Sequence, residues 1–130
     1  MSPAIPPGNA PLAGAVPFDA AALERLRELD PDGRHGVLRR VMSAFETSLS
    51  RMLVQLAGER DGGDANVVAG VAHTLKSSSA SVGAVALSQV CADVERRLRT
   101  GEAGSLDGDI ERLLQAGEGA LVTVRAMLHL

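Results

Sequence analysis

The chain has 130 residues, a formal net charge of −3 and a 45% share of hydrophobic residues. That length suits one domain, and the acidic balance argues against a nucleic-acid partner, which calls for a basic surface. With aromatics at 2% and no Trp or Tyr, the core must come from Leu, Val, Ala and Met, and their helical spacing favours an all-α fold.

Residues 1–17 are rich in Pro, Ala and Gly and read as a tail or interdomain linker, since proline forbids regular helix and few side chains could anchor them. The start lacks a positive n-region and an apolar h-region, so no signal peptide is expected. No apolar run approaches the ~18 residues of a membrane helix. A cytoplasmic protein is expected, and the single cysteine, Cys91, agrees with a reducing compartment.

Asp19 can cap a short first helix over about 20–29, with Leu23, Leu26 and Leu29 on one side. Pro31-Asp32-Gly33 stops it. A long second helix is predicted over about 34–60, where Val37, Leu38, Val41, Met42, Phe45, Leu49, Met52, Leu53 and Leu56 recur at spacings of three and four. Its length, roughly 40 Å at ~1.5 Å per residue, is that of a bundle helix. Asp61-Gly62-Gly63 forms a turn, and Asp64 caps the third helix, 65–82, which Gly83 ends.

The fourth helix is placed at 86–99, with Leu87, Val90, Cys91, Val94 and Leu98 inward, Cys91 as a small buried hydrophobe. The fifth begins at Ser105 or Asp107 and reaches His129, with Ile110, Leu113, Leu114, Leu121, Val124 and Leu128 inward. Gly117 and Gly119 each cost this helix up to about 1 kcal/mol relative to Ala, which predicts a weak spot or a close helix contact. Four helices joined by short turns pack antiparallel in sequence order. Five amphipathic helices can close a core alone, so a monomer is expected.

The third helix holds His73, one of three histidines. Positions three and four apart share a helix face, so His73, Lys76, Ser77 and Ala80 form one strip, with Ala69 and Gly70 a turn earlier. Val68, Val71, Ala72, Leu75, Ser78, Ser79 and Val82 form the opposite, core-facing strip. The first strip sets an imidazole and a cation among small residues, a surface on which a large partner can dock.

The stretch AHTLKSSSASVG resembles the phosphoacceptor helix of histidine-containing phosphotransfer (HPt) domains, matching at Ala72, His73, Leu75, Lys76, Ser79, Val82 and Gly83. It departs at Ser77, where the family usually has Gly. The resemblance extends over about residues 18–129. It implies an antiparallel four-helix bundle whose end is covered by the short N-terminal helix. It implies a phosphocarrier that takes a phosphoryl group onto His73 from the aspartate of a response-regulator receiver domain and passes it to another. Mg²⁺ would be supplied by that receiver, and the chain would have no cofactor of its own. HPt domains often end a hybrid sensor histidine kinase, which gives residues 1–17 a second reading as linker.

The chemistry asks for an exposed ring, free base when it attacks, among groups that tolerate added negative charge. A free imidazole, with a pKa of about 6.5, is mostly neutral at pH 7. Lys76, one turn on, places an ammonium where phosphoryl oxygens would arrive. An antiparallel turn near Gly83-Ala84 brings residues 93–97 of the fourth helix beside His73. By resemblance, Glu95 holds a position from which a polar residue orients the histidine ring, and Arg99 borders the docking surface. Gly70, Ser77 and Ala80 complete the expected partner-binding surface.

No Gly-rich nucleotide loop and no acidic triad for Mg²⁺ is present, so neither ATP binding nor autokinase activity is expected. A histidine kinase dimerisation domain is a weaker rival: its histidine is normally followed by an acidic residue and a nearby Pro, whereas Thr74 follows here. A helical module that binds receivers without chemistry is the other. Ser77, Ser78 and Ser79 have no paired base and read as small residues permitting close approach. His35 and His129 are incidental, and no second ligand stands near His73 at a metal-binding spacing.

Overall fold

The computed structural model describes residues 16–102 and 104–129. Among them the secondary structure is entirely helical: α1 (Ala20–Glu28), α2 (Val37–Ala57), α3 (Ala65–Val82), α4 (Val85–Thr100) and α5 (Leu106–Leu128). The last four form an all-α, antiparallel bundle in which α2 touches α3, α3 touches α4, α4 touches α5, and α5 returns to α2. The pairing of α3 with α4 is the most extensive. Only Gly83 and Ala84 separate these two helices, so they have to run back along each other.

Local signals set most of the helix ends. Asp19, Asp64 and Ser105 each accept a backbone N–H from the first turn of α1, α3 and α5 respectively. Ser105, not Asp107, is therefore the α5 cap. Gly83 closes α3 in the left-handed conformation (φ 85°), and its amide bonds back to Ala80 and Ser79. At α2 the expected start at residue 34 moves to Val37. Gly36, with φ 59°, offers no side chain to cap the helix. The buried carboxylate of Asp30 does so from the preceding loop, accepting N–H bonds from His35 and Val37 at 3.2 Å. Burial alone would raise the Asp30 pKa, but the amides of Val37 and His35 outweigh it and hold it below the ordinary value.

The same loop corrects Leu29. Expected inward with Leu23 and Leu26, it is 69% exposed, because α1 ends at Glu28 and the chain turns Asp30 in instead. α2 ends at Ala57, three residues short of the expected 60, and α4 begins one residue early, at Val85.

The core is aliphatic, with Met42, Leu49, Leu56, Val68, Leu75, Leu87, Val94, Ile110, Leu113 and Val124 fully or almost fully buried. Cys91 is buried among them, and burial, with help from the nearby Glu95 charge, pushes its thiol up to about 12. α1 packs on α2 and α3 through Leu23 and Leu26. Phe18 meets Phe45 edge to face at 6.3 Å, and the Asp19 amide donates to the Gly83 carbonyl at 2.7 Å. Val16, assigned from sequence to the tail, instead bonds through its amide and carbonyl to the Thr123 hydroxyl of α5. Residues 1–15 of that expected tail lie outside the described residues.

Gly117 and Gly119 are both buried, and at Gly117 the expected close contact is found. Leu53 of α2 packs so tightly on its Cα that a Cβ would overlap the leucine methyls.

Candidate functional site

His73 lies in the middle of α3 with its side chain 62% exposed, and the register of the α3–α4 pair brings Glu95 under it. The imidazole Nδ1 is 2.7 Å from Glu95 Oε2. Two cations share the same carboxylate: Lys76 Nζ reaches Oε1 at 2.7 Å, and Arg99 Nε reaches Oε2 at 3.0 Å. Lys76 is one turn from His73 on α3, and Arg99 one turn from Glu95 on α4, so helical spacing brings all four groups to one point.

The Glu95 side chain is only 9% exposed. Its pKa nevertheless falls from 4.5 to about 2: the Lys76 hydrogen bond lowers it most, desolvation opposes, and the bonds from Arg99 and His73 add to the lowering. An ionised carboxylate can only accept a hydrogen bond. In the neutral ring this contact selects the tautomer with the proton on Nδ1 and the lone pair on Nε2. No side chain among the described residues bonds Nε2. The arrangement is an exposed ring oriented from beneath by a buried carboxylate.

Around the ring the surface is low. Gly70, Ser77 and Ala80 are exposed, and a Cβ on Gly70 would meet nothing within 4 Å. Arg99, 57% exposed, stands at the α4 edge of this surface. Ala69 departs from the expected strip. It is 5% exposed and packs inward, since α3 is flanked by α2 as well as α4 and its buried face is wider than a single stripe. The serines separate by position: Ser77 is exposed, Ser78 half-buried with its hydroxyl donating to the Leu75 carbonyl, and Ser79 buried.

Two features escape sequence reasoning. Ser88 of α4 donates to the Lys76 carbonyl at 2.9 Å, tying the two helices a turn below the histidine. On the far side of α4, Asp93 accepts from Arg112 of α5 at 2.8 Å and from Arg96 at 2.9 Å, and Arg97 reaches buried Asp109 at 3.4 Å. Arg112, then Arg96, hold the Asp93 carboxyl below its ordinary range. These pairs fasten the α4 segment that presents Glu95 to α5. The only sequence signal was a set of acidic and basic residues, Asp93, Glu95, Arg96 and Arg97, such as any solvated helix shows.

Among the described residues no group of three or more His, Cys, Asp or Glu side chains is placed to hold a metal ion. Nor is any helix long and apolar enough to cross a membrane. A comparison with curated proteins finds no match. The structure is similar to the crystal structure of histidine-containing phosphotransfer protein B (HptB) from Pseudomonas aeruginosa PAO1. The TM-score is 0.72 at 23% identity, covering 86% of this chain and 94% of that one, a likeness of fold. The model of the Hpt domain family matches residues 40–129. The chain belongs to the Hpt domain family, the histidine phosphocarriers of two-component phosphorelays, which interact with receiver domains and kinases.

Proposed function

We propose that His73 is the phosphoacceptor: its Nε2 takes a phosphoryl group from a receiver-domain aspartyl phosphate and hands it to a second receiver. The observation that carries this reading is the exposed ring whose Nδ1 is held at 2.7 Å by a buried, ionised Glu95. Glu95 orients the ring. Lys76 spends one of its three N–H donors on Glu95 and has two left for phosphoryl oxygens. Gly70, Ser77, Ala80 and Arg99 border the ring and form the contact surface for the receiver.

The domain acts by presentation alone, binding no ATP and phosphorylating nothing by itself, while the receiver brings Mg²⁺. It serves in the cytoplasm as a monomer, either free-standing or as the C-terminal part of a hybrid sensor histidine kinase.

With ATP and Mg²⁺ alone, the protein is expected to remain unlabelled, and a phosphorylated cognate receiver is expected to label it. The label should be acid-labile and alkali-stable, as phosphohistidine is and aspartyl phosphate is not. His73→Gln should abolish it while the protein stays helical by circular dichroism, because an exposed ring fills no core space. A labelled His73→Gln protein would place the acceptor elsewhere. Receiver binding without any label on the wild type would favour a docking module.

A further inference from the structure

Accepting a phosphoryl group and giving it away make different demands on the ring. On acceptance, the Nε2 lone pair forms the N–P bond as the P–O bond to the donor carboxylate breaks, and the ring becomes an N-phosphoimidazolium if Nδ1 keeps its proton. On donation the N–P bond breaks, its electron pair stays on Nε2, and a P–O bond forms on the next carboxylate. The leaving group is then neutral imidazole, provided the Nδ1 proton is still there. Had that proton gone, the ring would have to leave as imidazolate, a far more basic anion and a poorer leaving group.

We propose that Glu95 keeps the Nδ1 proton on His73 while the ring is phosphorylated, so that the carrier stays ready to donate at and above neutral pH. This rests on the reading of His73 as acceptor. The carboxylate sits 2.7 Å from Nδ1, inside the protein, and on the side of the ring away from Nε2. An anion there favours the cationic phospho-ring.

Every charged group that faces Glu95 helps keep it an anion. From α3 come His73 and Lys76, from α4 Arg99. Cys91, one turn back on α4, remains a neutral thiol because burial raises its pKa. Among the described residues, α1, α2 and α5 send no charged side chain into hydrogen-bonding range of this carboxylate. The acidic and basic groups of α4 and α5 nearby, Asp93, Arg97, Asp109 and Arg112, pair with one another. Lys76 and Arg99 thereby act on the ring through Glu95, besides any contact with the phosphoryl oxygens.

The test loads the full chain with phosphoramidate, a small phosphoryl donor that releases ammonia, and follows the ring nitrogens by ¹⁵N NMR from pH 5 to 10. Nδ1 is expected to stay protonated to a pH about one unit or more higher than in phosphorylated peptide 70–78, which lacks Glu95. Glu95→Gln should bring that titration down towards the peptide value. At pH 9 its phosphohistidine should decay about tenfold more slowly than the wild-type one. A purely structural part for Glu95 would change loading rates without moving the titration. Identical titration of wild type and peptide overturns the proposal, and needs no variant to fold. So does a Glu95→Gln protein that titrates like the wild type. A wild type that phosphoramidate never labels on His73 would instead overturn the acceptor reading on which the proposal stands.

Discussion

At Glu95, three donors converge on one buried carboxylate, so removing any of them changes what charge is left behind. Lys76→Ala takes away the bond that lowers the Glu95 pKa most but leaves Arg99 and His73 in place. A stability loss on the order of 1–2 kcal/mol follows, the worth of one charged hydrogen bond. Transfer from a phosphorylated receiver should slow roughly 10–100-fold, because a cation beside developing phosphoryl charge is lost. Stopped-flow transfer and urea denaturation read the two effects separately, and an unchanged transfer rate would reduce Lys76 to a support for Glu95.

Glu95 itself gives a signed pH dependence. Its pKa falls on folding from 4.5 to about 2, so the ionised form stabilises the fold fully above pH 4.5. That contribution drains away as pH drops from 4.5 to 2, where folded and unfolded states alike become protonated. Glu95→Gln should melt below the wild type at pH 7, with the gap narrowing through this window. A gap that stays constant from pH 5 to 2 would assign the loss to packing.

At the level of elements, α5 trades helix propensity for closeness to α2. Gly117 is buried, with Leu53 lying where a side chain would begin. Gly117→Ala would gain about 1 kcal/mol of helix propensity in isolation. Here the new methyl must displace Leu53, which is itself buried, and overpacking of that kind costs about 1–3 kcal/mol. We expect a net loss of roughly 1 kcal/mol in urea denaturation. A gain in stability would mean that Leu53 repacks freely and that the α2–α5 approach is loose. The α3–α4 pair is fastened by a different device, the two-residue corner at Gly83-Ala84, where a side chain at position 83 would crowd Asp19 and Ala22. That corner sets the register on which the His73–Glu95 contact depends.

For the whole molecule, five helices surround a core of some twenty buried apolar side chains. The large hydrophobic residues left exposed among the described ones, Leu29, Val54 and Val85, fall at the end of α1, in α2 and at the start of α4. They lie on three different elements, and we propose that the domain is monomeric. Light scattering at about 50 μM should give a monomer of 13.4 kDa. A stable dimer would point to the groove between α2 and α5, about 710 Å³ in volume and lined by Leu53, Val54, Leu114 and Val122.

The sequence by itself determined what depends on neighbours along the chain. The bounds of α3 follow from Asp64 and Gly83, an N-cap and a left-handed stop whose geometry is local. The antiparallel pairing of α3 with α4 follows from a link too short for any other path, and with it the approach of residues 93–97 to His73; that Glu95 is the one that meets the ring came only from the family resemblance. Only the tertiary structure decided how far each helix turns about its axis. That rotation buried Ala69, pointed Leu29 outward with Asp30 in its place, and sank Glu95 until Lys76 and Arg99 both closed on it. Ser88 on the Lys76 carbonyl and Arg112 on Asp93 belong to the same class. Periodicity tells which residues share a face. The facing of one helix to two neighbours is settled by packing aliphatic side chains without voids, a sum over contacts distant in sequence that no short window contains.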